Sequence, residues 1–293
     1  MPKLKRRQKK TQPPDQMLRK IVQLLLILLI IGRGTAPFAA SFVRASVDTE
    51  EYLHLPTTPK AERLMDRALP KVERALARQG MRLGQPVFMR IFKLSKELEV
   101  WLLSRGEYRL FKTYPICSYS GYIGPKLLEG DWQSPEGFYT VSVEQMNPRS
   151  RFHLSFNIGY PNTVDIARNC TGSAIMVHGK CLSQGCFAMG NTQIEEIYLL
   201  AHQAFLQGQE QFSIHIFPFR MTKDNLVKYR YSPWYIFWSD LAAGYNAFEQ
   251  SRQVPVMTSD GGRYVVEKNQ QKQQGVVIRA MTVRQNMKKN QFR

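Results

Sequence analysis

The sequence predicts an α+β protein, mostly β, with helices flanking a sheet-built centre. Three observations carry this. From Gln85 the chain turns to short runs rich in β-branched and aromatic residues, separated by polar turns. A helix-period segment with start and stop signals lies at Thr192–Gly208. A second amphipathic stretch precedes the strands at residues 60–82.

The elements follow in chain order. Residues 1–44 open with the basic run "MPKLKRRQKK". The apolar run Ile21–Ile31 and the small residues "GRGTAPFAAS" come next. A run this short falls below the roughly 20 residues of a membrane span. The order basic, apolar, small reads as an export signal peptide or an uncleaved signal anchor. Met17 opens a shorter leader of the same kind. The expected location of the body is therefore the periplasm, with possible attachment to the inner membrane. Residues 45–84 read as a linker and a helical segment, with Leu64, Ala68, Val72, Leu76 and Ala77 near one face and Pro70 breaking or kinking it.

Residues 85–220 form the expected strand-rich central domain. "PVFMRIFKLS", "ELEVWLL" and "YRLFKTYPI" are strand candidates, with Met89, Ile91 and Leu94, and then Leu98, Val100 and Leu102, on one face. "FYTVSV", "SAIMVH" and "QFSIHIFPF" are further strands. Thr192 and Glu195 form a capping box for the helix that Gly208 ends. The aromatic stretch within 221–252 is expected as a helical cap packed on the body. Residues 253–293 are polar, Gln-rich and basic, which predicts a disordered tail.

Charge narrows the function. The net charge is +18, but residues 1–44 hold +9 and residues 268–293 hold +7, leaving +2 for the whole middle. A nucleic-acid module carries its basic patch in the fold, so no nucleic-acid partner is expected.

The stretch "MVHGKCLSQGCFAMGN" carries the chemistry. It places His178, Cys181 and Cys186 within nine residues. Three readings stand. As metal ligands they lack the second short-spaced pair usual in structural zinc sites, so no metal or other cofactor is expected. As disulfide partners, Cys117, Cys170, Cys181 and Cys186 allow three connectivities. A Cys181–Cys186 bridge has to close a tight loop, and a Cys117–Cys170 bridge leaves Cys186 free. As a nucleophile site, Cys186 follows Gly185, and His178 ends a strand from which a loop can return Cys186. A backbone carbonyl can orient the histidine, and the N–H groups of Gln184, Gly185 and Cys186 can face one concavity. Aromatic and glycine residues at Tyr122, Gly124 and Trp132 lie in segments suited to a substrate lip. His153 and His215 sit in strand-like runs and read as structural or exposed.

"HGKCLSQGC" resembles the His-Gly…Ser-x-Gly-Cys signature of the YkuD-type L,D-transpeptidases. "EGDWQSPEGFYTV" is similar to that family's Asp…Ser-Pro-x-Gly-x-Tyr segment, and "TGSAIMVHG" to its Thr-Gly…His-Gly strand. The segments keep the family's order over about residues 60–250, and the run as a whole resembles the YafK branch. The resemblance implies a YkuD-like β-sandwich or barrel catalytic domain acting on peptidoglycan stem peptides. It implies Cys186 as nucleophile, His178 as base and the Gly179 carbonyl as its orienter. Gln184, Gly185 and Ser183 support the oxyanion site and the loop. The commoner pattern reads Ser-His-Gly-Cys-x-Arg; here Gln184 replaces that histidine and Ala188 that arginine. The "Cys-Phe-Ala-Met" ending resembles the YafK branch, which is associated with hydrolysis of the diaminopimelate–lysine link joining a lipoprotein to murein. The expected partners are thus peptidoglycan and murein-bound lipoprotein. The alternatives are a transpeptidase that forms crosslinks or attaches protein, and an idle murein-binding domain.

Overall fold

A computed structural model describes residues 55–267. The expected leader or anchor, most of the linker and the basic end of the tail lie outside them. No described helix is long and apolar enough to cross a membrane.

Helix α1 runs Pro59–Arg78, capped by the Thr58 hydroxyl, which accepts the Ala61 N–H. It buries Ala61, Met65, Ala68, Val72 and Leu76, whereas Ala77 is exposed. Pro70 does not break it. The ring sits on the solvent side, and three buried positions around it, Ala68, Val72 and Leu76, hold the axis to the core.

Five strands build the main sheet: β1 Val87–Phe92, β2 Glu97–Ser104, β3 Glu107–Pro115, β4 Gly137–Ser142 and β9 Gln211–Phe217, in the order β3-β2-β1-β9-β4. β1 pairs antiparallel with β2 and parallel with β9. All six residues of β1 are buried because both faces of the sheet are covered. On one face Met89, Ile91, Leu98 and Val100 join the main core. The other face carries Phe88, Phe92 and Trp101, packed against helix α5, Tyr235–Ser251. The alternation of β2 is as expected, but Glu99 does not face water. It is buried and bonded by Arg90, Arg220 and the Trp101 indole. Leu94, expected on the β1 face, lies past the strand and is exposed.

A second, four-stranded sheet positions the site. Its strands are β5 Met146–Asn147, β6 Ser155–Asn157, β7 Met176–His178 and β8 Phe187–Ala188, in that order, with β7 and β8 parallel. Phe156, Val177 and Phe187 point into the main core. Neither sheet closes, so the fold is an α+β layered domain and the barrel alternative falls away among the described residues. Between β6 and β7 lies the one-turn helix α2, Thr163–Ala167. Helix α3, Asn191–Leu206, packs along α1 and buries Ile194, Ile197, Tyr198 and Ala201. Its start differs from the expected capping box. Gly190 occupies the cap at φ 79°, and Glu195 turns instead to Arg67 and His153. Gly208, just past the last turn at φ 94°, ends it as expected.

The aromatic region is mostly core. The short helix α4, Lys223–Lys228, leads into α5, which buries Phe237, Trp238, Leu241, Tyr245 and Phe248. The tail is ordered further than expected: β10 Met257–Asp260 and β11 Arg263–Val266 form a hairpin. Buried Tyr264 accepts a bond from the Asn162 amide, and Arg263 pairs with Asp240 of α5. These two anchors offset the polar composition that predicted disorder.

Candidate active site

β7 ends on His178, and Cys186 sits immediately before β8. The register sets Val177 beside Phe187 and His178 beside Ala188. Cys186 therefore stands beside Met176, whose N–H reaches its sulfur at 3.4 Å. Residues two apart on a strand share a face, so His178 and Cys186 are diagonal neighbours on adjacent strands. Strand spacing and rise put their backbones roughly 8 Å apart, a span an imidazole and a thiol can cross. The two side chains do not hydrogen-bond each other at rest. The other contact at Sγ is the Ala174 carbonyl at 3.8 Å, aimed by an Ala174 held at φ 52°.

The Nδ1 of His178 lies 2.6 Å from the Gly179 carbonyl. A carbonyl only accepts, so Nδ1 carries the proton and Nε2 is left as an acceptor. Gly179 has no room for a side chain. An added Cβ would stand 2.7 Å from the His153 Cβ and 2.8 Å from the Phe152 carbonyl. The Phe152 ring packs 4.8 Å from the His178 ring. Burial pushes the His178 pKa down, against the upward pull of the Gly179 bond. Burial also pushes the Cys186 thiol up, while the Met176 N–H and the Lys126 charge pull it back. Burial thus biases both groups toward their neutral forms.

The loop between them is braced from several sides. The Ser183 hydroxyl donates to the Cys186 carbonyl at 2.6 Å, and Ser134 reaches the same oxygen at 3.4 Å. The Gly185 N–H is already given to the Ser120 hydroxyl, so it is engaged at rest and not free for an oxyanion. No protein acceptor takes the backbone N–H of Gln184 or of Cys186 among the described residues, which leaves those two as donors. Gly185 itself needs φ 109°, and a side chain there would meet Ile175 at 3.2 Å. Cys181 is bonded to Cys117. That pairing was one of several open in sequence; it removes Cys181 from any ligand set with His178 and Cys186, and leaves Cys170 and Cys186 as free thiols.

Of the expected lip, Tyr122 and Trp132 are exposed, and the Gln133 amide clamps the Tyr122 backbone on both its N–H and its carbonyl. Gly124 is instead buried: its N–H goes to Glu136 and its carbonyl to Lys93. His215 is core, and His153 bonds Glu195. Sequence reading missed Phe152, Ser120, Ser134 and Lys126. The serines stand in polar loops with no spacing signal, and Lys126 gave no sign of being buried against Asp131 and the Leu128 carbonyl.

No family model matches the chain. It is 43% identical over 186 residues to Putative L,D-transpeptidase YafK of Escherichia coli K12, spanning 64% of this chain and 76% of that protein. The Escherichia coli O157:H7 protein of the same name gives the same figures. Among solved structures, the helical cell shape determining protein Pgp2 of Campylobacter jejuni superimposes with a TM-score of 0.38 at 17% identity, over 70% of this chain and 84% of that one. Bd1075 of Bdellovibrio bacteriovorus gives 0.35 at 18% identity, over 61% and 81%.

Proposed function

The chain belongs to the YafK-like L,D-transpeptidases, and from that premise we propose that it is a cell-envelope enzyme using Cys186 to cleave an amide in murein. The observation that carries this is the His178–Gly179 bond. It fixes the tautomer that leaves Nε2 basic on the face that Cys186 shares.

In the proposed reaction the Cys186 thiol gives its proton to Nε2 as sulfur attacks the carbonyl on the L-centre of diaminopimelate. The tetrahedral oxyanion is received by the N–H groups of Cys186 and Gln184. Collapse expels the amine, which takes the proton back from His178, and leaves a thioester. Water, deprotonated by His178, attacks the thioester and restores the thiol. The neutral resting pair suits this concerted proton transfer. Ser183 and Ser134 hold the Cys186 carbonyl, so the loop need not reorganise on attack.

The amide we propose is the diaminopimelate–lysine link of a murein-bound lipoprotein, with the body in the periplasm. Its support is the resemblance of the Cys186-Phe187-Ala188-Met189 run to the YafK branch; the similarity to the L,D-transpeptidase YafK supports the coarser reading of a cell-envelope enzyme. The test incubates purified protein with lipoprotein-bearing sacculi and resolves the products by mass spectrometry. Released lipoprotein ending in free lysine is expected from the wild type, and none from Cys186→Ala with an unchanged circular dichroism spectrum. Equal release by Cys186→Ala would refute the mechanism. New crosslinks in place of release would convert the enzyme to a transpeptidase.

A further inference from the structure

The nucleophile loop is tied to the rest of the fold at one side by β7 and β8. Its other side is tied by a strap, residues 117–120, that enters from the end of β3. Cys117 holds Cys181 covalently. The N–H groups of Cys117 and Ser118 both reach the Ala188 carbonyl, at 2.8 and 3.1 Å, and Ala188 returns its own N–H to the Ser118 carbonyl at 2.8 Å. Ser120 accepts the Gly185 N–H, lies 3.5 Å from the Ser183 hydroxyl, and gives its carbonyl to the Ser134 N–H at 3.0 Å. Cys181, Ser183, Gly185 and Ala188, on both sides of Cys186, thus each have a partner on the strap. Cys181 is itself exposed, on the solvent side of the loop. There, no packing replaces what the sulfur–sulfur bond holds.

We propose that the Cys117–Cys181 disulfide is a positioning element for the Cys186 reaction: it sets the Cys181–Cys186 loop so that the Cys186 and Gln184 N–H groups converge on the oxyanion. The proposal rests on the thioester reaction above and concerns its acylation half. Positioning of oxyanion donors is worth a large factor, since deleting one donor costs about 10²–10³ in rate. A loop released on one side keeps its thiol and its histidine but loses part of that alignment. Acylation should therefore fall while plain nucleophilicity does not.

The test compares three forms of the full-length protein. They are oxidised wild type, wild type reduced by a phosphine and desalted without oxygen, and the double variant Cys117→Ser/Cys181→Ser. In the reduction the phosphine gives two electrons to the S–S bond. The two sulfurs take up protons from water, and the phosphine leaves as its oxide. Two rates are read at Cys186 by mass spectrometry of the peptide that carries it, which separates it from the other thiols: acylation by a carbapenem, which passes through an oxyanion, and alkylation by iodoacetamide, which does not. We expect acylation to drop at least about tenfold in both the reduced and the variant protein. Alkylation at Cys186 should stay within about twofold, and circular dichroism should superimpose. A merely structural bond would lower the melting temperature and leave acylation of the folded protein unchanged, and that result overturns the proposal. If loss of the bond unfolds the protein, Ser120→Ala decides. It removes the Gly185 tie without touching a thiol, so slowed acylation at unchanged alkylation supports the strap and unchanged acylation overturns it. Oxidised wild type that alkylates but never acylates would instead refute the thioester reading itself.

Discussion

Glu136→Gln should unfold this domain far more readily than its conservative chemistry suggests. Glu136 and Lys93 are both fully buried and stand 3.0 Å apart. One carboxylate oxygen accepts the Gly124 N–H at 2.6 Å, and the other the Trp238 indole at 2.8 Å. Lys93 completes its shell with the carbonyls of Gly124 and Ser134, both at 2.8 Å. A glutamine has one acceptor oxygen, so one of the Gly124 and Trp238 donors loses its partner, at about 1–3 kcal/mol. Lys93 loses its counter-ion, a charged hydrogen bond of about 1.5–3 kcal/mol. Together these give about 2.5–6 kcal/mol, which brackets the roughly 3–5 kcal/mol lost when one member of a buried pair is removed. Burial already pulls the Lys93 pKa down against the Glu136 charge, so the variant can relieve part of the cost by deprotonating Lys93. The assay is urea unfolding followed by circular dichroism, with Lys93→Met and the double variant completing a cycle. A loss of less than about 1 kcal/mol for Glu136→Gln, or no coupling in the cycle, would refute the pair as a stabilising element of the core.

Two further outcomes follow from buried histidines. His215 lies between the Phe88 and Phe138 rings, and burial, with the Arg90 charge, lowers its pKa to about 3. The unfolded chain then takes up a proton below pH about 6.5 that the folded chain refuses, so stability falls as pH drops from there toward 3. At pH about 4 this one group should cost roughly 3 kcal/mol relative to pH 7. His215→Phe should flatten that part of the pH dependence in unfolding measurements; an unchanged slope would show that other groups cause it. At the site, Phe152→Ala removes the ring packed on His178 and admits water, so the His178 pKa should rise toward its ordinary value. An NMR titration of the His178 ring reads this directly, and a titration that does not move would place the desolvation elsewhere.

Much of the fold was legible because its strands are short and two-faced. The Leu98, Val100, Leu102 alternation and the Ile214, Ile216 alternation mark core faces whatever covers the opposite side. What covers that side was not legible. Glu99 looks solvent-facing in sequence, and only α5, arriving some 140 residues later, buries it against Arg90. The Thr192–Glu195 box failed for a similar reason. Its glutamate had stronger partners on α1 and in the Phe152–His153 turn, and a cap worth about 1 kcal/mol yields to them. At the site, spacing brought His178 and Cys186 to one loop and motif resemblance gave them roles. Neither could show that the Gly185 N–H is already taken, because Ser120 is 65 residues away in sequence.

The absent arginine has a physical account. Ala188, where the commoner pattern places it, is a fully buried strand residue, bridged to Ser118 on one side and paired with His178 on the other. A guanidinium here would be an interior charge with no carboxylate within its own ladder, which costs several kcal/mol unless paired. The strap thus covers the edge of β8 at this position. The cation whose field does reach Cys186 comes from another loop: Lys126, buried and held by Asp131 and the Leu128 carbonyl. That charge is fixed and already compensated, so it can bias a thiol but is poorly placed to grip a mobile carboxylate. On the proposed reaction, this charge acts on the thiol and not on an acceptor. Lys126→Met should therefore slow acylation of Cys186 through a higher thiol pKa, seen as an alkylation profile displaced to higher pH. A rise in KM at unchanged thiol pKa would assign the lysine to substrate binding and sink the argument.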